Sequence, residues 1–293
     1  MKRIEIIVNI LMAWIILTLS DAAASEIAYG IVYIKWNSLT LNICLYSLLA
    51  VVFVIGSVSL YAKYILKSTA DQFYMSAKLK CASNGTDRWY VISVLLPIIL
   101  PVLSMIFTQG SFQNENLSGP EIIYAICWSV FSGLRRGIID GILLRGMVMG
   151  SMKKMWPWKR IILFSGIIFT VFHFDLADAG DNIGPLLLMS VTLLIMGMAL
   201  AAVTYASGTI WTSVTMYSFY LILFGRTEIL NISTERDYDA IWNYTVKSEN
   251  WLTVGFSGAD GGKVSGLVLL AFLIVLIMAV FQVKDSEASI RGL

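Results

Sequence analysis

Leu134 to His173 reads LRRGIIDGILLRGMVMGSMKKMWPWKRIILFSGIIFTVFH. Within a very apolar chain this stretch places Arg135, Arg136, Asp140 and Arg145 on one predicted helix. His173, the chain's only histidine, lies on the next. Ionisable groups at membrane depth are costly to keep, so they are candidates for function. A carboxylate and an imidazole are also among the side chains that most often move protons. Arg136 and Asp140 are four residues apart and share a helix face. Arg145 is five residues past Asp140, roughly 140° further round an α-helix, and its long side chain can still reach back. Phe169 and His173 are again four apart. The plainer readings are a structural ion pair for Arg136 and Asp140, and a hydrogen-bonded packing role for His173. Gly133, Gly137 and Gly141 form a row of small residues, which lets a neighbouring helix approach closely in a membrane.

These residues must be positioned by membrane helices. Of the 293 residues, 58% are hydrophobic and 14% charged, and mean hydropathy is +0.77. Ordinary soluble chains run at about 45–50% apolar and about 25% charged, so the bilayer is the expected solvent. The net charge of +2 does not suggest nucleic-acid binding. One histidine and the scattered Cys44, Cys81 and Cys127 do not make a usual zinc site or a disulfide framework. No metal and no cofactor is expected.

The expected fold is all-α, a polytopic bundle of about eight transmembrane helices in a single domain spanning 1–293. Judged against a need for roughly 20 apolar residues each, the spans run near 4–19, 41–64, 90–107, 120–152, 161–174, 184–205, 210–224 and 264–283. The first could instead be a signal peptide, because SDAAAS follows it. Pro97 and Pro101 can kink the third. The fourth is long enough that a bend near Ser132–Gly133, or exit into the interface, is expected. Lys153, Lys154, Lys159 and Arg160 surround Trp156 and Trp158 as an interfacial belt. An acidic run, DLADAGDN, follows the fifth span. Lys and Arg fall mainly on the side of both termini, which is expected to be cytoplasmic.

The segments IIDGILLRG, FSGIIFTVFHF and YASGTIWTSVTMYSFYLIL resemble, in order and spacing, the three signature helices of the CPBP family. These are the CAAX-protease and bacteriocin-processing membrane proteins, also called Abi or type II CAAX proteases. The resemblance covers about 121–224. Arg145 and Gly146 match the end of the first motif. Asp140 stands at its first glutamate and Gly141 at its second. Phe169 and His173 match the second motif. Tyr217 and Leu221 stand at the histidine and asparagine of the third. The resemblance implies that Asp140 and His173 activate a water, that Arg145 holds Asp140, and that Tyr217 is a substitute donor to the oxyanion. It also implies an integral protein of a bacterial plasma membrane.

A shortened acid and a depleted oxyanion half predict weak or lost peptide hydrolysis. Three readings follow: a slow intramembrane endopeptidase, a non-catalytic relative, and a small-solute transporter. The non-catalytic relative would bind a membrane partner, as in bacteriocin immunity or sensor regulation. The lack of an inverted repeat argues against the transporter. The expected partners are membrane lipid and a membrane-embedded peptide or protein.

Overall fold

The computed structural model describes residues 2–73, 75, 86–113, 117–153, 155–173, 183–224, 229–234, 240–248, 250–253 and 265–291. Among these, eight helices form the bundle. Helix α1 is Lys2–Ala28, continued by a π turn at Tyr29–Tyr33 and a last turn at Ile34–Trp36. Helix α2 is Leu39–Tyr61, with a π turn at Ala62–Leu66. Helix α3 is Thr86–Phe107, unbroken through Pro97 and Pro101. Helix α4 comprises Gly119–Asp140, a π segment Gly141–Val148 and a final turn Met149–Lys153. Helices α5 (Trp158–His173), α6 (Ile183–Ser207), α7 (Ile210–Leu223) and α8 (Gly266–Arg291) complete it.

Six of the helices are long and apolar enough to cross a membrane. Their outer faces keep large apolar side chains uncovered, among them Trp14, Leu19, Leu48, Val102, Ile106, Ile274 and Phe281. A continuous surface of this kind is what lipid covers. The chain is therefore an all-α polytopic membrane protein. At 14 residues, α7 is about 21 Å long, shorter than the hydrocarbon core. It is a core helix instead, enclosed by α3, α4 and α6.

The structure departs from the sequence expectation in three places. The first helix does not stop near Leu19, and Ser20–Ser25 is mid-helix. Alanines favour that continuation, and the Asp21 carboxylate finds partners on α2 and α4. Helix α4 stays α-helical through Ser132 and Gly133, and its irregularity comes later, at Gly141. Third, the loops hold a small sheet, ordered β1-β3-β2. Strand β1 (Gly110–Gln113) pairs antiparallel with β3 (Trp242–Val246), and β2 (Leu230–Ser233) pairs parallel with β3. The Tyr244 hydroxyl lies within hydrogen-bonding distance of the Met105 and Thr108 carbonyls, 3.3 and 3.2 Å away, and so ties the sheet to the end of α3. Phe174, the acidic run after it, and Lys78, Lys80, Cys81 and Lys154 lie outside the described residues.

Local signals fix the helix that carries Asp140. At its start, the Ser118 backbone N–H donates to Glu121 Oε2 at 2.7 Å, a capping box with proline in the first turn. The glycine row then lets α7 approach closely. A Cβ at Gly133 would stand 2.5 Å from Ile222 Cγ1. One at Gly137 would meet the Ser218 hydroxyl and come within 3.0 Å of Ser218 Cα. One at Gly141 would strike Val214. Val214, Ser218 and Ile222 are themselves four apart, so the two helices meet along matching rows.

Gly137→Leu should accordingly force α4 and α7 apart and destabilise the bundle by about 1–3 kcal/mol. Thermal unfolding of the purified protein in detergent checks this. Gly56→Leu, where an added Cβ meets nothing within 4 Å, should leave the midpoint unchanged.

Candidate active site

Asp140 ends the regular part of α4, and His173 ends α5. His173 Nε2 lies 2.8 Å from Asp140 Oδ2. His173 Nδ1 lies 2.9 Å from the Phe169 carbonyl, one turn earlier on α5. A carbonyl only accepts, so Nδ1 carries a hydrogen. Nε2 then faces a carboxylate, and that contact is a hydrogen bond only when one further proton is held, on Nε2 or on Oδ2. The pair thus shares one removable proton.

Phe169 sets the ring that makes this contact. Its own ring stacks on His173, with centroids 4.1 Å apart and planes 21° apart. Gly197 of α6 leaves room for it: a Cβ there would stand 2.6 Å from Phe169 Cβ. The spacing of four residues between Phe169 and His173 therefore does two jobs. It supplies the carbonyl that fixes the tautomer and the ring that fixes the orientation.

The pair lines a cleft of about 590 Å³. Asp140, Arg135, Arg136 and Ile139 come from α4, and Phe172 and His173 from α5. Leu17, Asp21, Ala22 and Glu26 come from α1. The Asp140 and His173 side chains are 8% and 6% exposed, whereas Asp21 is 41% exposed. The cleft is thus deepest at the pair and opens along α1. At its mouth, Arg135 Nη1 donates to Asp21 Oδ1 at 2.7 Å and to the Tyr46 hydroxyl at 2.8 Å. Tyr46 donates in turn to Asp21 Oδ1 at 2.6 Å. This clasp joins α1, α2 and α4.

Arg145 is 2% exposed and does not hold Asp140 through an ion pair, although the two charges act on each other through space. Its guanidinium carbon lies 5.5 Å from the Phe169 ring centroid and 5.4 Å from that of Tyr217. Nη1 and Nη2 have no hydrogen-bond partner among the described residues. Two aromatic faces and a neighbouring carboxylate offset part of the cost of burying that charge. The π segment explains why Arg145 stands there. Hydrogen bonds from i to i+5 bring a residue five along nearly above Asp140, not well round the helix.

Tyr217 is buried, 6.0 Å from the His173 ring centroid and edge-on to it. Its hydroxyl lies beside the Arg136 guanidinium. Leu221, one turn on, is partly buried in the apolar core. Gly141 lies directly against Val214, so the position of the family's second acid has no room for a side chain in this packing. The geometry thus gathers Asp140, His173, Arg145 and Tyr217 around Phe169.

Residues 122–223 match the family model described as type II CAAX prenyl endopeptidase Rce1-like. The match supports a relationship to that family for this core of the chain. The match spans about a third of the 293 residues and agrees with the CPBP resemblance of the three motifs. No curated protein and no solved structure matches the chain. The chain is a CAAX-protease-like integral membrane protein. Asp21 and Glu26, which line the cleft, and Tyr46, which bonds to Asp21 at its mouth, were not singled out from the sequence, whereas Arg136 was noted there beside Asp140. Asp21 and Glu26, two acids inside one apolar helix, were the available signal.

Arg145→Lys keeps the charge but cannot stack its head on two rings. It should lower stability by roughly 1–2 kcal/mol, read as a reduced unfolding midpoint of the purified protein.

Proposed function

We propose that this protein is a slow intramembrane endopeptidase whose water-activating base is the Asp140–His173 pair. The observation that carries this reading is the 2.8 Å contact between His173 Nε2 and Asp140 Oδ2 at the deep end of a cleft. Once the shared proton has left, Nε2 and Oδ2 are two acceptors facing each other. A water that donates one hydrogen to each relieves them and is held for attack. As its oxygen bonds to the peptide carbonyl carbon, one water proton passes to the pair. The C–N bond then breaks, and the leaving amine takes that proton from the imidazole. The family match supports a membrane-embedded peptide or protein as substrate. The distribution of Lys and Arg supports an orientation with both termini cytoplasmic.

A second reading, peptide binding without cleavage, is favoured by one observation. Leu221 offers no side-chain donor where the family has an amide, and losing one oxyanion donor typically costs about 10²–10³ in rate.

Purified protein in proteoliposomes should cleave membrane-anchored reporter peptides, prenylated and unprenylated, with products read by mass spectrometry. Asp140→Asn and His173→Ala should each abolish product while the protein still accumulates and melts normally. Equal yields from wild type and both variants would overturn the hydrolytic reading in favour of binding.

A further inference from the structure

We infer that Arg136 is the oxyanion donor of this cleft, taking the part for which Leu221 offers no side-chain donor; this rests on the hydrolytic reading above. Hydrolysis needs a fixed positive or hydrogen-bonding group where charge develops on the carbonyl oxygen. Three arginines lie near the base, and the structure separates them. Arg145 is buried between two rings and does not line the cleft. Arg135 lines the mouth, bonded to Asp21 and Tyr46. Arg136 is exposed, and it lines the cleft together with Asp140 and His173.

Its position suits the geometry of attack. Arg136 precedes Asp140 by one turn on the same helix face, about 6 Å along the axis. A substrate carbonyl placed between the two residues would therefore meet the water at Asp140 and His173. Its oxygen would point at Arg136. The Tyr217 hydroxyl lies beside the same guanidinium. The residue standing at the family's third-motif histidine thus touches the group that replaces it. In the step itself, the carbonyl π electrons move onto oxygen as the water oxygen bonds to carbon. The oxyanion accepts hydrogen bonds from Arg136 without taking a proton, and the electrons return when the C–N bond breaks. A guanidinium suits this role because it stays protonated throughout.

Two measurements on the full-length protein in proteoliposomes test the assignment. For cleavage of the reporter peptides, Arg136→Ala should lower kcat by about 10²–10³-fold with KM little changed. Guanidinium ion added at millimolar levels should restore part of the loss, which a merely structural role would not allow. An unchanged kcat in Arg136→Ala would overturn the assignment while leaving the base reading intact. The second measurement does not need turnover. A peptide phosphonate, a tetrahedral anion, should bind wild type at least about tenfold more tightly than Arg136→Ala, a difference of about 1.4 kcal/mol. The matching uncharged peptide should bind both alike. If wild type cleaves nothing, hydrolysis fails as a function, and a phosphonate preference lost in Arg136→Ala still supports Arg136 as the cleft's anion donor. Equal phosphonate binding by both proteins would overturn it.

Discussion

The close approach of α4 and α7 governs the rest of the structure. Gly133, Gly137 and Gly141 have no side chains, so α7 presses Val214, Ser218 and Ile222 straight onto the α4 backbone. Without an apolar driving force between helices in lipid, such contact relies on dispersion over a close fit. The consequences for the site are direct. Tyr217 is brought over Arg145 and edge-on to His173. The same contact fills the space beside position 141. A side chain at 141 would meet the Val214 methyl in this packing, so an acid there would require Val214 to move.

A buried cation shows how the surrounding residues share its cost. Among the described residues Arg145 has no ion pair, and two of its nitrogens lack hydrogen-bond partners. What it has is Phe169 on one side, Tyr217 on the other and the nearby Asp140 charge. The π segment from Gly141 to Val148 sets this arrangement by changing the helical pitch within a single turn. Glycine at 141 makes room for it against Val214. Phe169 then links two functions, since the ring that flanks Arg145 also stacks on His173. Removing Phe169 would therefore disturb both the cation and the base.

Much of this was legible in the sequence, for identifiable reasons. Helix count follows from runs of apolar residues, because the bilayer demands a minimum length. The glycine row follows from a spacing of four. The pairing of Asp140 with His173 follows from motif order in the family. Other features were hidden because periodicity assumes an α-helix. An α-helical wheel turns Arg145 away from Asp140, and only the π segment brings it back. The sheet was hidden because its strands are short and lie in separate loops, with β1 in one and β2 and β3 in another. The end of α1 was misjudged because Asp21 looks like a boundary when its partners, Tyr46 and Arg135, are 25 and 114 residues away.

Asp21 and its partner Tyr46 also lie outside the segment that matches the family model. The family match begins at residue 122, yet one wall of the cleft is α1. Asp21 and Glu26 stand on that wall, and the Asp21–Arg135–Tyr46 clasp ties it to α4 directly beside Arg136. A half-exposed ion pair of this kind contributes little stability by itself. Its effect is geometric. It holds Arg135 at the mouth of the cleft, next in sequence to Arg136, with the pair Asp140 and His173 at the deep end. The matched core therefore supplies Asp140 and His173, while α1 and α2, outside it, shape the entrance of the cleft.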